Sequence, residues 1–262
     1  MAAIARWLKR RSPGNLLSTT VSDEITGFVY VADGETGPMT KAAAGLQIGS
    51  FKDTPPWIVV DDEPGSATLA KWPGRLWKVR VLQKATQQPA ACANYTRATA
   101  VHVVEELRLA SLFGHNGDAI VDFLSSIARL TAQTAANLGD ASDADAARVH
   151  NNVWDRWLSS VDPGSPCMGE DHSGVIAFSA HKPRSPVGHA TSVLYAELSQ
   201  RARAIAGDSA WVVDGDDVNF NPQWARAAAC LQHALFAIGA AQHLASASER
   251  VALLRAYQRA TP

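Results

Sequence analysis

Cysteine is scarce in this chain. Cys92, Cys167 and Cys230 are the only three among 262 residues, an odd count with no CxxC pair. That argues against a disulfide framework and against a zinc knuckle, and it suits a reducing cytoplasm. Net charge is missing too, since 24 Lys+Arg stand against 25 Asp+Glu. No global field is present to hold nucleic acid or an anionic membrane, so neither is expected as a partner. No apolar run approaches the length of a membrane span. At the N-terminus the basic residues Arg6, Lys9, Arg10 and Arg11 lie around and after Ile4, Trp7 and Leu8. That order does not fit a targeting segment and reads as a basic arm or a short docking helix.

The common site signatures are also lacking. Gly45 and Gly49 stand four apart, but neither GxGxxG nor GxxxxGK[ST] occurs, so no phosphate-cradling loop is indicated. There is no GxSxG nucleophile elbow. The acidic run Asp214, Asp216, Asp217 invites comparison with a calcium loop. A loop of that kind needs alternating oxygen ligands, a glycine at the sixth place and a carboxylate at the twelfth. Val218, Asn219 and Ala225 occupy the fifth, sixth and twelfth places counted from Asp214, so the pattern fails. The run reads instead as a turn at Asp214-Gly215 leading to a helix cap at Asn221. His233 and His243 are too far apart along one helix to share a metal, and read as interfacial or solvent-facing. No metal and no cofactor are expected.

What is present is 47% hydrophobic content and a change of character near the middle of the chain. Residues 1–112 read as strands and glycine-punctuated turns. Ile25 to Val31 alternates, Trp57-Ile58-Val59-Val60 is a short apolar run, and Leu76 to Leu82 places Trp77, Val79 and Val81 on one face with Lys78 and Arg80 on the other. The β-branched density around Val101 and Val103 makes residues 96–107 a strand, paired with residues 76–82 across a loop at 83–94. His102 then has no partner at helical spacing with which to bind a metal.

Residues 113–262 read as capped, alanine-rich helices. Asn116, Thr131, Ser142 with Asp145, Asn221 before Pro222, and Ser246 with Glu249 mark N-termini. Gly139 and Gly207 read as C-terminal breaks, and Glu197 with Arg201 as an exposed ion pair four apart. The stripe Trp224, Ala228, Leu231, Leu235, Ile238 is expected to face a core, with Cys230 a buried, inert thiol beside it. The fold class that follows is α+β: an N-terminal antiparallel β-rich part packed on a C-terminal alanine-rich helical part, as one compact unit.

The run Trp72-Pro73-Gly74-Arg75-Leu76-Trp77-Lys78-Val79, followed by Val103 to Leu107 and Leu112 to Gly117, resembles a group of functionally uncharacterised actinobacterial proteins in which such a segment precedes alanine-rich helices. The resemblance covers about a third of the chain. It implies a cytoplasmic bacterial protein and brings no activity or catalytic residue.

Two functional readings follow. Eight tryptophans are many for this length, and an indole joins a large apolar body to an N–H that needs a partner. The first reading is therefore a non-catalytic binding or accessory protein with a tryptophan-rich seam between strands and helices. Trp57, Trp77, His181 and His189 would contact a protein, peptide or small molecule. The second is a hydrolase or transferase built on the irregular segment 161–189, because long segments of this kind inside a compact domain are often functional. There His172 would act as base, Cys167 as nucleophile, Asp171 as the acidic partner, and Lys182 or Arg184 as anion stabiliser.

Overall fold

The computed structural model describes residues 24–49, 52–67, 69, 71–90, 93–160, 186–240 and 244–261. The chain is α+β, with antiparallel strands in the first part and helices in the second. The strands are β1 (Thr26–Ala32), β2 (Gln47–Gly49), β3 (Ile58–Asp61), β4 (Gly74–Lys84) and β5 (Tyr95–Leu107). Their order is β2-β5-β3-β1-β4, and β4 also pairs with β5. The sheet therefore closes on itself as a small ring, with β2 extending the edge of β5 beyond β3. Closure removes the open edges that a free sheet would present. As the β-branched pattern predicts, His102 lies on β5, opposite Arg80 of β4.

Alternation in the strands gives the ring an inner and an outer face. Val29, Ile58, Val60, Trp77, Val79, Val101 and Val103 form the inner cluster, joined by Met39 and Ala42 from a 3-10 turn at Pro38–Lys41 and its end. The outer face divides. Leu76, Phe28 and Tyr30 pack into the helical core, while the polar part is laced by ion pairs. Lys78 faces Glu105 at 3.6 Å and Arg80 faces Glu24 at 2.8 Å. On the Trp77 side, at the start of β4, Arg75 grips Glu106 through two guanidinium nitrogens. The cationic face legible in β4 is thus matched by carboxylates.

Asp61 lies at the end of β3 beside Phe28 and is only 6% exposed. Burial, with Asp62 adding its charge, holds its carboxyl well above the ordinary range.

Among the described residues the helices are α1 (Gly117–Ile127), α2 (Ala132–Asp140), α3 (Ala144–Ser160), α4 (Pro186–Ala206), α5 (Pro222–Leu235) and α6 (Ala247–Ala260). Helix α5 is the hub, in contact with α2, α3, α4 and α6. Three caps stand as the sequence predicts. Thr131 Oγ1 accepts from the Thr134 amide at 3.1 Å, Asn221 Oδ1 accepts from Gln223 and Trp224, and Ser246 with Glu249 forms a full capping box.

Four local expectations are corrected. Asp143 caps α3 instead of Ser142, because its Oδ1 reaches the amides of Asp145 and Ala146. Asn116 precedes α1 but makes no side-chain cap bond; its side chain lies where a Cβ on Gly239 would collide. Gly139 is not a helix break. It lies within α2 at the crossing with α5, where a Cβ would stand 2.9 Å from the Gln223 carbonyl oxygen. Glu197 and Arg201 do not pair: Arg201 donates its Nε to the Leu130 carbonyl at 2.6 Å, and Glu197 is half-buried near Tyr30.

One cluster of buried residues spans both parts, from Ala67, Trp72 and Leu76 to the helical interior. Trp72 meets Phe113 edge-on at 5.6 Å in this junction.

Three stability outcomes are expected. Leu231→Ala should cost about 2–5 kcal/mol through lost transfer energy and a residual cavity. Asn221→Ala should cost about 1–2 kcal/mol as a lost cap; denaturant melts that reverse this ranking would refute the assignment. Asp61→Asn should stabilise. A carboxyl raised in the folded state is tolerated below its unfolded value near 3.8 and becomes costly as pH rises through its folded value. The gain should therefore be present at pH 7 and shrink toward pH 4 in urea titrations.

Candidate functional site

Helix α4 ends at Gly207, whose φ of +56° is open to glycine at low cost, and a 3-10 turn (Gly207–Ala210) leads into a hairpin. Strands β6 (Trp211–Asp214) and β7 (Asp217–Phe220) pair in register, and Gly215 with φ +61° is the first residue of the two-residue connection. Positive φ at that place alone fits a type II′ hairpin turn. The sequence shows the turn. The strands, four residues each, are too short for their alternation to stand out.

Directly opposed residues share a face, so Trp211, Val213, Val218 and Phe220 lie together. The root of that face is aromatic. Trp211 stacks on Phe220 at 4.7 Å with 17° between the rings, Phe220 stacks on Trp224 of α5 at 6.5 Å, and the Arg203 guanidinium lies 5.7 Å from the Trp211 ring centre. Toward the tip the face opens, with Val213 at 75% exposure and Val218 at 60%. Asp214, Asp216 and Asp217 are exposed around the turn.

The hairpin is held firmly at its base. The Asn221 backbone amide donates to the Ala210 carbonyl at 2.8 Å, and its side-chain nitrogen donates to the Ser209 carbonyl at 2.6 Å. Asn221 thus closes the hairpin and caps α5 together. The Trp211 indole N–H is buried without a hydrogen-bond partner, an omission worth about 1–3 kcal/mol. The result is a rigid, tryptophan-rich seam between strands and a helix that ends in exposed apolar side chains. It can bind by apolar contact at the valine pair, by main-chain pairing along the edges of β6 and β7, which no other described strand covers, and by attraction of positive charge to the tip.

The residues singled out from sequence do not converge here. Trp77 is 2% exposed inside the β ring, with the Arg75 guanidinium 4.3 Å from its ring centre, so it presents no surface. Trp57 is half-buried before β3, with Arg97 4.8 Å above its ring. His189 is fully buried near the start of α4, where its Nε2 meets the Gly65 carbonyl and joins the helical part to the β ring. Cys167, Asp171, His172, His181, Lys182 and Arg184 lie outside the described residues. Cys230 is buried, and burial pushes its thiol up to about 11, consistent with an inert side chain.

A second cluster escaped the sequence reading. His150 and Trp154 of α3 meet His233 and Phe236 at α5 and its C-terminal end, and Trp157 packs on Trp154. Its signal was the spacing of His150, Trp154 and Trp157 at four and seven residues, one helical face. His233 is therefore interfacial and not solvent-facing. No group of three His, Cys, Asp or Glu among the described residues could hold a metal ion, and no helix among them is long and apolar enough to cross a membrane.

Comparison of the chain with known protein families, with curated proteins and with solved structures gives no match.

Proposed function

We propose that the protein is a non-catalytic binding or accessory protein that docks a partner protein or peptide on the β6–β7 hairpin. The observation that carries this reading is the exposed Val213–Val218 pair on a hairpin anchored by aromatic stacking and by Asn221. Exposed apolar side chains on a free strand pair invite association, and proteins ordinarily blunt such edges with lysine, proline or a covering element. Here the nearby charges are aspartates. They select a partner segment that alternates apolar residues with Lys or Arg, laid as an added strand along the hairpin. The odd cysteine count and the likeness to actinobacterial proteins favour a bacterial cytoplasmic setting for that partnership.

The test is selection of displayed random peptides on the full chain, followed by affinity measurement on the wild type and on Val213→Thr/Val218→Thr. Threonine keeps the β-branched shape, so the hairpin should persist. Enriched peptides should carry alternating apolar and basic residues and lose at least about tenfold in affinity for the variant, corresponding to ~1.4 kcal/mol. Equal binding to both proteins would refute the docking role.

A further inference from the structure

Helices α3 and α5 meet through two imidazoles. The rings of His150 and His233 lie 4.9 Å apart at 40°. Phe236 is 4.6 Å from His150, and Trp154 lies 5.8 Å from Phe236 with 24° between the planes. His233 is 7% exposed, and the Nε2 of His150 is buried without a hydrogen-bond partner. Two rings in such a setting pack well as neutral aromatic bodies. A proton on either places an unshared charge among Trp and Phe rings, and a second places two like charges side by side. Beyond Leu235, at the end of α5, the backbone at Phe236–Ala240 widens into a π turn, a feature common at functional sites.

The charged groups on the surrounding helices do not offset those protons. On α3 and its cap, Asp145 is engaged by Arg148, and Asp143 is faced from α6 by Arg255 at 3.9 Å and Arg259 at 3.4 Å. Arg156 of α3 is paired with Glu249 of α6. From α4, the Tyr195 hydroxyl donates to Gln232 at 3.0 Å, next to His233. On α5 itself, Arg226 points its Nε to the Gly139 carbonyl at 3.0 Å. Asp143 is the carboxylate whose field reaches His233, and the two arginines already share it.

We propose that the His150–His233 contact is a proton-operated catch that frees α3 from α5 in mildly acidic solution while α3 stays fastened to α6. The inference is independent of the docking role given to the hairpin. Burial lowers both histidines, with His233 brought to about 4, where the charge of a protonated His150 adds to the effect. A histidine lowered in the closed state binds its proton more readily once open, so closure weakens as pH falls from about 6.5 toward 4. The α3–α6 contacts titrate elsewhere. Arg156 and the capping amide hold Glu249 at about 2, and the amides of Ala146 and Asp145 with the two arginines keep Asp143 low. At pH 5 these carboxylates remain ionised and the ion pairs persist. Acid therefore loosens one side of α3 and leaves the other in place, uncovering Trp154 and Phe236.

The experiment is amide hydrogen exchange on the full chain between pH 7.5 and 5, corrected for intrinsic rate, read on peptides from α3 and from α6. His233 alone implies an opening equilibrium roughly 30-fold larger at pH 5 than at pH 7.5. Exchange in α3 should rise by that order while α6 stays protected, and His150→Phe and His233→Phe should each reduce the rise. A flat α3 response, or α3 and α6 opening together, would overturn the proposal. If the variants do not fold, the wild-type imidazole resonances decide. Titration below 6.5 together with shifts in α3 amides supports the catch, and ordinary titration with unmoved α3 amides refutes it.

Discussion

Burial of helix α5 is the constraint on which the helical part depends. From Ala227 to Leu235 every residue of this helix is buried or half-buried, and α2, α3, α4 and α6 all lie against it. A central helix of this kind can accept so many neighbours only if its side chains are small where the neighbours come close. Ala227, Ala228 and Ala234 meet that need on α5, and Gly139 meets it on α2. Its terminal backbone groups must also be satisfied from outside the helical ladder. Asn221 does this at the N-terminus, and so ties the helix to the hairpin that precedes it.

The β ring and the helices then meet through side chains from both, and this explains why tryptophan is a poor guide to a site here. Trp72 fills the junction with Phe113, Trp77 fills the ring, and Trp154 and Trp157 fill the interface of α3. Trp77 completes one core, and Trp72, Trp154 and Trp157 pack into different places of the other. Among the described residues, the stack of Trp211 with Phe220 on Trp224 lies at a boundary between strand and helix that continues into exposed apolar surface.

What could be read from sequence was whatever depends on near neighbours. Caps at Thr131, Asn221 and Ser246 are decided within three or four residues, and the alternation in β4 and β5 is long enough to state both faces. The faces themselves were harder, because alternation separates Trp77 from Lys78 without saying that the Trp77 side closes into a ring. Strands β2, β6 and β7 have three or four residues each and leave almost no periodic signal. The pairing of His150 with His233 lay beyond local reading altogether, since it is created by the crossing of two helices and not by spacing within either. Gly139 shows the same limit: a glycine near a helix end reads as a stop until the partner helix that demands it is in view.

Two exposed surfaces among the described residues are finished differently, and the contrast bears on function. On the outside of the β ring, Lys78 and Arg80 are each answered by a carboxylate, as Arg75 is on the Trp77 side. The hairpin instead carries bare valines beside aspartates. An isolated two-stranded ribbon is marginal in water, so a hairpin that displays apolar residues must draw its order from elsewhere. Here it draws on Phe220 stacked against Trp224 and on the hydrogen bonds of Asn221 to Ser209 and Ala210. Those same groups begin helix α5. The order of the docking surface and the stability of the central helix therefore rise and fall together, which makes Asn221 the residue through which a change in the helical core would reach the exposed hairpin.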